Sequence, residues 1–497
     1  MFNLKNAVLL FLLAYAGFLR FYDIGLMQFQ HDEAYLSYLS SEITVGHNFV
    51  TAGNDSSLGI PLPPFGPYSI AIPALLSSDP LWHAGFVVLL NLLSILLAYR
   101  IGEVFFGKTT GLMTALLICC SPPAVVFSRK IQALSLLPVI ICAVLYLTLS
   151  IVRNGAGGKK IWFLALLYFI ALQIQPVVLV LLPGLAFVLW PYISKKDILP
   201  LIAVTAIPCL PYAYHLLQTG FRDIYAAASF LQSRVMQGGG NILSGFSIFE
   251  KASSWLITGH FQTYFRGADF AGLRMSGFFH FFRIISTLLF LSGLIVLFMR
   301  RKNAEAKAVL IITASALVVF LISSSFLNAF QYFAAIYPLQ FLIPVMGIAG
   351  FGELIKNKAP AAARYFTMLF FAAIILVQHL VLFDFSRYLN AFGGFSDSYG
   401  IAFRCQKEAV RFIIGNSASP QIYITTNENP QVHLLGYAYL LYVNNRQFAA
   451  NPGMASGKYL LSNTFYPEIE TPFKKQFLFK SGPLAVYKLG KGDGSIF

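Results

Sequence analysis

"LWHAGFVVLLNLLSILLAYR", residues 81–100, carries no charged residue until Arg100 at its end. About 20 apolar residues are needed for a helix to cross a bilayer core, and backbone polar groups in lipid must be satisfied internally. This stretch meets both conditions. Runs of the same kind recur at roughly 4–20, 110–127, 131–152, 161–174, 176–193, 198–217, 281–299, 308–327, 334–352 and 364–384. Counting by length predicts about eleven spans. Composition agrees, with 57% hydrophobic and only 11% charged residues; soluble domains carry about 25% charged residues. The expected fold class is an all-α polytopic membrane protein.

The formal net charge of +15 does not form one patch. Its cations fall between apolar runs, for example at Arg100 and Lys108, at Arg153, Lys159 and Lys160, at Lys195 and Lys196, and at Arg300, Arg301 and Lys302. Every second loop has such a cluster. That distribution excludes a nucleic-acid surface and is the positive-inside signature that fixes topology. With Lys5 cytoplasmic, an odd number of spans puts the carboxyl terminus outside. The expected organisation is a transmembrane domain over residues 1–384 and an exoplasmic domain over 385–497. The first run, with Ala14-Tyr15-Ala16, also has features of a cleavable signal peptide; the alternation of basic loops favours an uncleaved span.

Cys119, Cys120, Cys142 and Cys209 lie in or near spans, and Cys405 is the single cysteine of the outer region, so no exoplasmic disulfide framework is expected. The histidines are scattered, and no metal-ligand spacing is present. His31 beside Asp32 would suit a divalent ion, but such a histidine is more often a hydrogen-bond partner, and no cofactor is expected. Span interiors hold His83, His215 and His379 but few charges; Arg20 and Arg283 lie at ends, where long side chains snorkel. An ion-coupled carrier needs charges at mid-membrane depth, so this pattern argues against one. It does not exclude an uncoupled flippase.

Polar chemistry gathers instead in three loops on the exoplasmic side, at about 21–80, 121–132 and 218–280. In the first, "HDEAYLSYLSSEI", residues 31–43, has apolar residues at helical spacing and predicts a helix along the membrane surface. Asp32 and Glu33 fall in its first turn. They are either capping acids facing the positive end of the helix dipole or reactive groups. The run Pro61, Pro63, Pro64 and Pro67 predicts a fixed non-helical turn. In the second loop, Arg129 and Lys130 of "SRKIQ" stand against the charge bias. They either hold lipid headgroups or clamp a phosphate, for which the arginine fork is suited. Asn54-Asp55-Ser56 fits the short N-glycosylation pattern.

An amino-terminal span followed by an exoplasmic Asp-Glu pair resembles the GT-C membrane glycosyltransferases. The likeness is to dolichyl-phosphate-mannose protein mannosyltransferases and bacterial lipid A aminoarabinose transferases. "SSLGIPLPPFGPYSIAIPALLSSDPLWHAGFVVLLN" (57–92), "FGKTTGLMTALLICCSPPAVVFSRKIQALSLLP" (106–138) and "FQYFAAIYPLQFLIP" (330–344) extend it over roughly residues 1–350. Two departures stand out: no acid follows "SRKIQ", where many members have one, and Gln331 stands where many have His or Arg.

The resemblance implies a GT-C-like fold and a multi-pass protein of the bacterial inner membrane. It also implies transfer of a sugar from a polyprenyl phosphate to an acceptor hydroxyl on a glycan, lipid or protein. The absence of a Gly-rich phosphate loop in a strand–helix unit agrees with a lipid-linked donor. By the same resemblance Asp32 is the general base, acting with inversion, and Glu33 orients the acceptor or positions Asp32. Arg129 and Lys130 would hold the donor phosphate, with Arg222, Arg234, Arg266 and Arg274 as competitors. His31, Asp55, Gln331 and Tyr332 would contact donor or acceptor. A lipid-sugar flippase and a non-catalytic envelope-assembly scaffold are the alternatives.

Beyond residue 385, "CQKEAVRFIIGN" and "PQVHLLGYAYLLYV" predict helices, and "QIYITT", "KYLLS", "QFLFK" and "LAVYKL" predict strands. This small α/β domain would cap the site or bind an acceptor or partner.

Overall fold

The structure is a computed structural model, and it describes residues 4–56, 60–155, 157–236, 245–259, 275–323, 329–356, 360–394, 399–427, 429–455, 457–464, 471 and 473–490. In chain order the helices are α1 (Leu4–Phe21), α2 (His31–Thr44), α3 (Phe65–Ala74), α4 (Pro80–Ile101), α5 (Lys108–Cys120), α6 (Pro122–Phe127), α7 (Leu137–Asn154), α8 (Lys159–Ile174) and α9 (Leu182–Leu189). They continue as α10 (Ile198–Gln218), α11 (Arg222–Met236), α12 (Gly245–Ser254), α13 (Met275–Met299), α14 (Ala304–Ile322), α15 (Leu339–Lys356), α16 (Pro360–Phe392), α17 (Phe403–Gly415) and α18 (Pro430–Tyr442).

Each of the eleven apolar runs contains helix. Among the described residues, six helices are long and apolar enough to cross a membrane. A seventh span arises if Phe330–Ile336 and Leu339–Glu353, bent by 72° at the intervening break, are taken together. Three shorter apolar helices, Ala7–Phe21, Lys108–Cys120 and Pro176–Tyr192, stand beside them. The protein is thus a mostly helical multi-pass membrane protein.

The Pro-rich run differs from expectation. Pro67 lies inside α3, in its first turn. The amides of a first helical turn have no intrahelical acceptor, so a missing N–H costs little there. Gly66 brings this helix close to the bundle, since a Cβ there would stand 2.9 Å from Cβ of Ala133.

Arg20 and Arg129 also differ from expectation. Arg20 is fully buried rather than snorkelling. Its guanidinium donates to the carbonyls of Cys119 at 3.0 Å and Ile118 at 3.1 Å, which are unsatisfied at the end of α5. Arg129 does the same for α1, with Nη2 donating to the carbonyls of Leu19 at 2.6 Å and Tyr22 at 3.1 Å. Each arginine thus caps the carboxyl end of a neighbouring helix, where cations are favoured.

The carboxyl-terminal region folds as a five-stranded sheet in the order β2-β1-β3-β5-β4, with α17 and α18 packed on it. The strands are β1 (Gln421–Thr426), β2 (Gln447–Phe448), β3 (Gly457–Asn463), β4 (Lys474–Ser481) and β5 (Leu484–Gly490). Pairs β1–β2 and β1–β3 are parallel, and β3–β5 and β4–β5 antiparallel. The long helix α16 continues to Phe392 before this region begins.

That small domain grips the segment leading into α2. The Phe403 amide donates to the Met27 carbonyl at 2.9 Å, Tyr399 Oη to Leu26 at 2.7 Å and Gln406 Nε2 to Phe29 at 2.9 Å. Phe29 packs edge-on against Phe403, with ring centroids 5.1 Å apart. Ion pairs Arg404–Asp23 and Lys407–Asp79 fasten the same face. At Gly400, φ is +71° and a Cβ would lie 2.3 Å from Nε2 of Gln30, so glycine is required at this contact.

Candidate active site

Gln30 is the N-cap of α2, and the cap is reciprocal. Glu33 Oε2 accepts the Gln30 amide at 3.0 Å, while the Gln30 side chain accepts from the Glu33 backbone. Half of the capping expectation is therefore met: Glu33 is the capping acid, and it is fully buried. Asp32, one residue earlier, is instead directed into an open cavity of about 320 Å³. The helical turn that buries one carboxylate exposes its neighbour.

The cavity draws on five separate parts of the chain. Asp32 comes from α2, and Asn54 and Asp55 from a turn closed by the Asp55–Pro61 bridge. Gln132 follows Arg129 and Lys130, Gln175 sits at the break after α8, and Gln331 and Tyr332 belong to the Phe330–Ile336 turn. Asn54 Nδ2 donates to the Asp32 carbonyl at 2.9 Å, tying the turn to α2. Gln132 Nε2 approaches Asp32 Oδ2 at 3.5 Å, the outer range of a hydrogen bond. The backbone of α2 is also held from below: Ser37 Oγ donates to the Glu33 carbonyl at 2.8 Å, and His83 Nδ1 lies 3.1 Å from the same hydroxyl.

The electrostatics separate the two acids. Burial raises the Asp32 pKa above the ordinary carboxylate value, against the lowering influence of His31 and Lys130. Asp32 is thus reached by solvent yet surrounded by protein on most sides. Glu33 is pushed from 4.5 to about 7, first by burial, with the Asp32 charge adding to it and Lys130 opposing. Lys130 is nearly buried and acts on both carboxyl groups.

The structure brings together Asp32, Asp55, Gln331 and Tyr332 as cavity lining, with Lys130 nearby. It separates others. Arg129 is committed to helix-end carbonyls, which removes it as a cavity cation. His31 stacks on Tyr35 with centroids 6.0 Å apart. Arg222 is exposed at the start of α11 and does not line the cavity. Arg234 lies in α11; Arg266 and Arg274 fall outside the described residues. His215, expected inside a span, sits near the end of α10 and bonds Asp223 at 3.1 Å. Among the described residues no group of three or more His, Cys, Asp or Glu side chains is arranged for a metal.

Of the four cavity amides the sequence pointed only to Gln331; Asn54, Gln132 and Gln175 were not expected there. Gln132 registered only as a place where an acid was lacking, and Asn54 only as part of a glycosylation pattern. Gln175 carried a usable signal: a polar residue before Pro176, at a break between apolar runs, marks a cavity-lining interruption of a span.

Residues 62–215 match the family model described as dolichyl-phosphate-mannose-protein mannosyltransferase. No curated protein sequence matches the chain. Among solved structures, ArnT from Cupriavidus metallidurans in the apo state is similar with a TM-score of 0.54 at 12% identity, covering 98% of each chain. The same protein bound to undecaprenyl phosphate gives 0.52 at 12% identity, covering 98% of this chain and 97% of that one. The archaeal oligosaccharyltransferase AglB from Archaeoglobus fulgidus, in complex with an inhibitory peptide and a dolichol-phosphate, gives 0.51 at 12% identity over 93% of this chain and 69% of that one. The chain shares the overall fold of these solved structures.

Proposed function

We propose, from the GT-C fold and the cavity it frames, that this protein moves a sugar from a polyprenyl-phosphate donor to an acceptor hydroxyl. The observation that carries the reading is the placement of Asp32. A carboxylate with a raised pKa lines a cavity at the end of a membrane-spanning bundle, among amides suited to sugar hydroxyls.

In this reading Asp32 takes the proton from the acceptor hydroxyl, whose oxygen attacks the anomeric carbon. The polyprenyl phosphate leaves from the opposite face of the sugar with the bonding electron pair, so configuration inverts. Phosphate needs no protonating acid, so one base suffices. Lys130 is the cation that would offset charge building on the leaving group. Asn54, Asp55, Gln132, Gln175, Gln331 and Tyr332 would hold the sugar. Glu33, buried and committed to the N-cap, would position α2 and leave acceptor contact to the cavity residues.

The alternation of basic loops supports an amino terminus in the cytoplasm and a cavity on the exoplasmic side, as in a bacterial inner-membrane protein. The ligands of the similar solved structures, undecaprenyl phosphate and dolichol-phosphate, support a lipid-phosphate donor.

The test is transfer by purified protein in nanodiscs, with a panel of polyprenyl-phosphate sugars and a lipid and glycan extract. Wild type should release polyprenyl phosphate, and Asp32→Asn should be slower by about 10²- to 10⁴-fold while remaining folded. Equal rates would refute Asp32 as the base. No release from any donor would move the flippase and scaffold readings ahead.

A further inference from the structure

A second cavity, of about 270 Å³, opens where α12 meets α13. Ser247, Glu250, His280, Arg283 and Thr287 line it, together with Ile284 and Leu288. Arg283 Nη1 pairs with Glu250 at 2.9 Å, and Nη2 donates to His280 Nδ1 at 2.6 Å. Because Nδ1 accepts that bond, the proton of a neutral His280 ring sits on Nε2, and the exposed ring presents a donor.

Leu288 also lines a third cavity, of about 630 Å³, which is almost wholly apolar. It runs along α13 past Leu291 to Ile295 and is closed by Ile348 and Phe351 of α15 and Phe370 of α16. Polar head and apolar groove are therefore continuous along one helix. Ile284, Leu288, Ile295 and Phe351 are exposed apolar side chains, as expected of a lipid-facing flank. From Arg283 to Ile295 is 12 residues, or about 18 Å at a rise of about 1.5 Å per residue. That is close to one leaflet, half of a hydrocarbon core about 30 Å thick. Arg283 lies in the amino-terminal half of α13, paired with Glu250 of α12, and α12 also packs against the Phe330–Ile336 turn that supplies Gln331 and Tyr332 to the Asp32 cavity; Arg300 follows the other end of α13.

We propose that this groove holds a phospholipid of the leaflet bordering the Asp32 cavity, its phosphate on Arg283 and His280 and one acyl chain against Leu288, Ile295 and Phe370. A guanidinium and an imidazole N–H at headgroup depth match phosphate oxygens, and a one-leaflet groove suits an acyl chain better than the much longer polyprenyl chain. The site is separate from the sugar cavity: the two share no lining residue, and the buried Trp255, stacked on Phe330 at 5.1 Å, lies in the segment after α12.

Native mass spectrometry of the full-length protein, released from detergent with phosphatidylglycerol, phosphatidylethanolamine, diacylglycerol or undecaprenyl phosphate added, tests this. Wild type should retain one phospholipid of either headgroup and no diacylglycerol. Arg283→Gln should lower retention about tenfold through loss of a charged hydrogen bond. Leu288→Trp, which fills the groove and leaves the Arg283–Glu250 pair intact, should lower it too. The proposal is overturned if no phospholipid is retained, if diacylglycerol is held as well, if both variants match wild type, or if undecaprenyl phosphate displaces the phospholipid.

Discussion

Replacing Glu33 by glutamine tests the electrostatic reading of α2 at its most buried point. Glu33 is fully buried, and its pKa is pushed from 4.5 to about 7, chiefly by burial. In the unfolded chain it titrates at its ordinary value. Between those pH values the folded state keeps the proton that the unfolded state has released, so stability falls as pH rises through that window. The interval is about 2.5 pH units, and each is worth about 1.4 kcal/mol, which gives about 3 kcal/mol lost between pH 4.5 and 7. Glutamine cannot ionise, and its side-chain oxygen can still accept the Gln30 amide that Glu33 now accepts at 3.0 Å. Glu33→Gln should therefore match wild type near pH 4.5 and exceed it by up to about 3 kcal/mol above pH 7. Thermal unfolding of the detergent-purified protein from pH 4 to 8.5, followed by intrinsic fluorescence, reads this as a Tm difference that grows with pH. A constant difference, or a wild type that gains stability relative to the variant as pH rises, refutes the reasoning.

Other outcomes follow from the same geometry. Because burial raises its pKa, Asp32 should set the acidic limb of the rate–pH profile higher than an ordinary exposed aspartate would, and a limb at or below the ordinary aspartate position counts against Asp32 as the base. Gln132→Glu sets a second acid where an amide now lies 3.5 Å from Asp32 Oδ2, so it should move that limb to higher pH; an unchanged profile means that Gln132 does not face the base. Arg129→Ala leaves the Leu19 and Tyr22 carbonyls without their donor and should cost about 1–3 kcal/mol of stability, whereas a raised KM for donor at unchanged Tm would restore the phosphate-clamp role. Arg404→Gln combined with Lys407→Gln cuts both ion pairs between the small domain and Asp23 and Asp79; kcat should fall with membrane insertion intact, and an unaltered kcat would show that the domain does not steady α2.

The sequence by itself determined the class of protein and the positions of its apolar helices. Hydrophobic run length and the alternation of basic loops are local properties, and lipid leaves the backbone few choices. It also determined the start of α2, because a capping acid acts within one helical turn, and the helices and strands of the small domain, whose patterns are short-range. It marked Asp32 and Glu33 but did not divide their roles. Only the tertiary structure did that, by burying one beneath the Gln30 cap and opening the other to a cavity. Likewise "SRKIQ" reads as two equivalent cations. In the fold Arg129 is consumed by the carbonyls ending α1, and Lys130 is left to act on the two acids. Most of the amide wall was illegible for the same reason: Asn54, Gln132 and Gln175 lie far from one another and from Gln331 in the chain, and no local pattern records which distant side chains share a cavity.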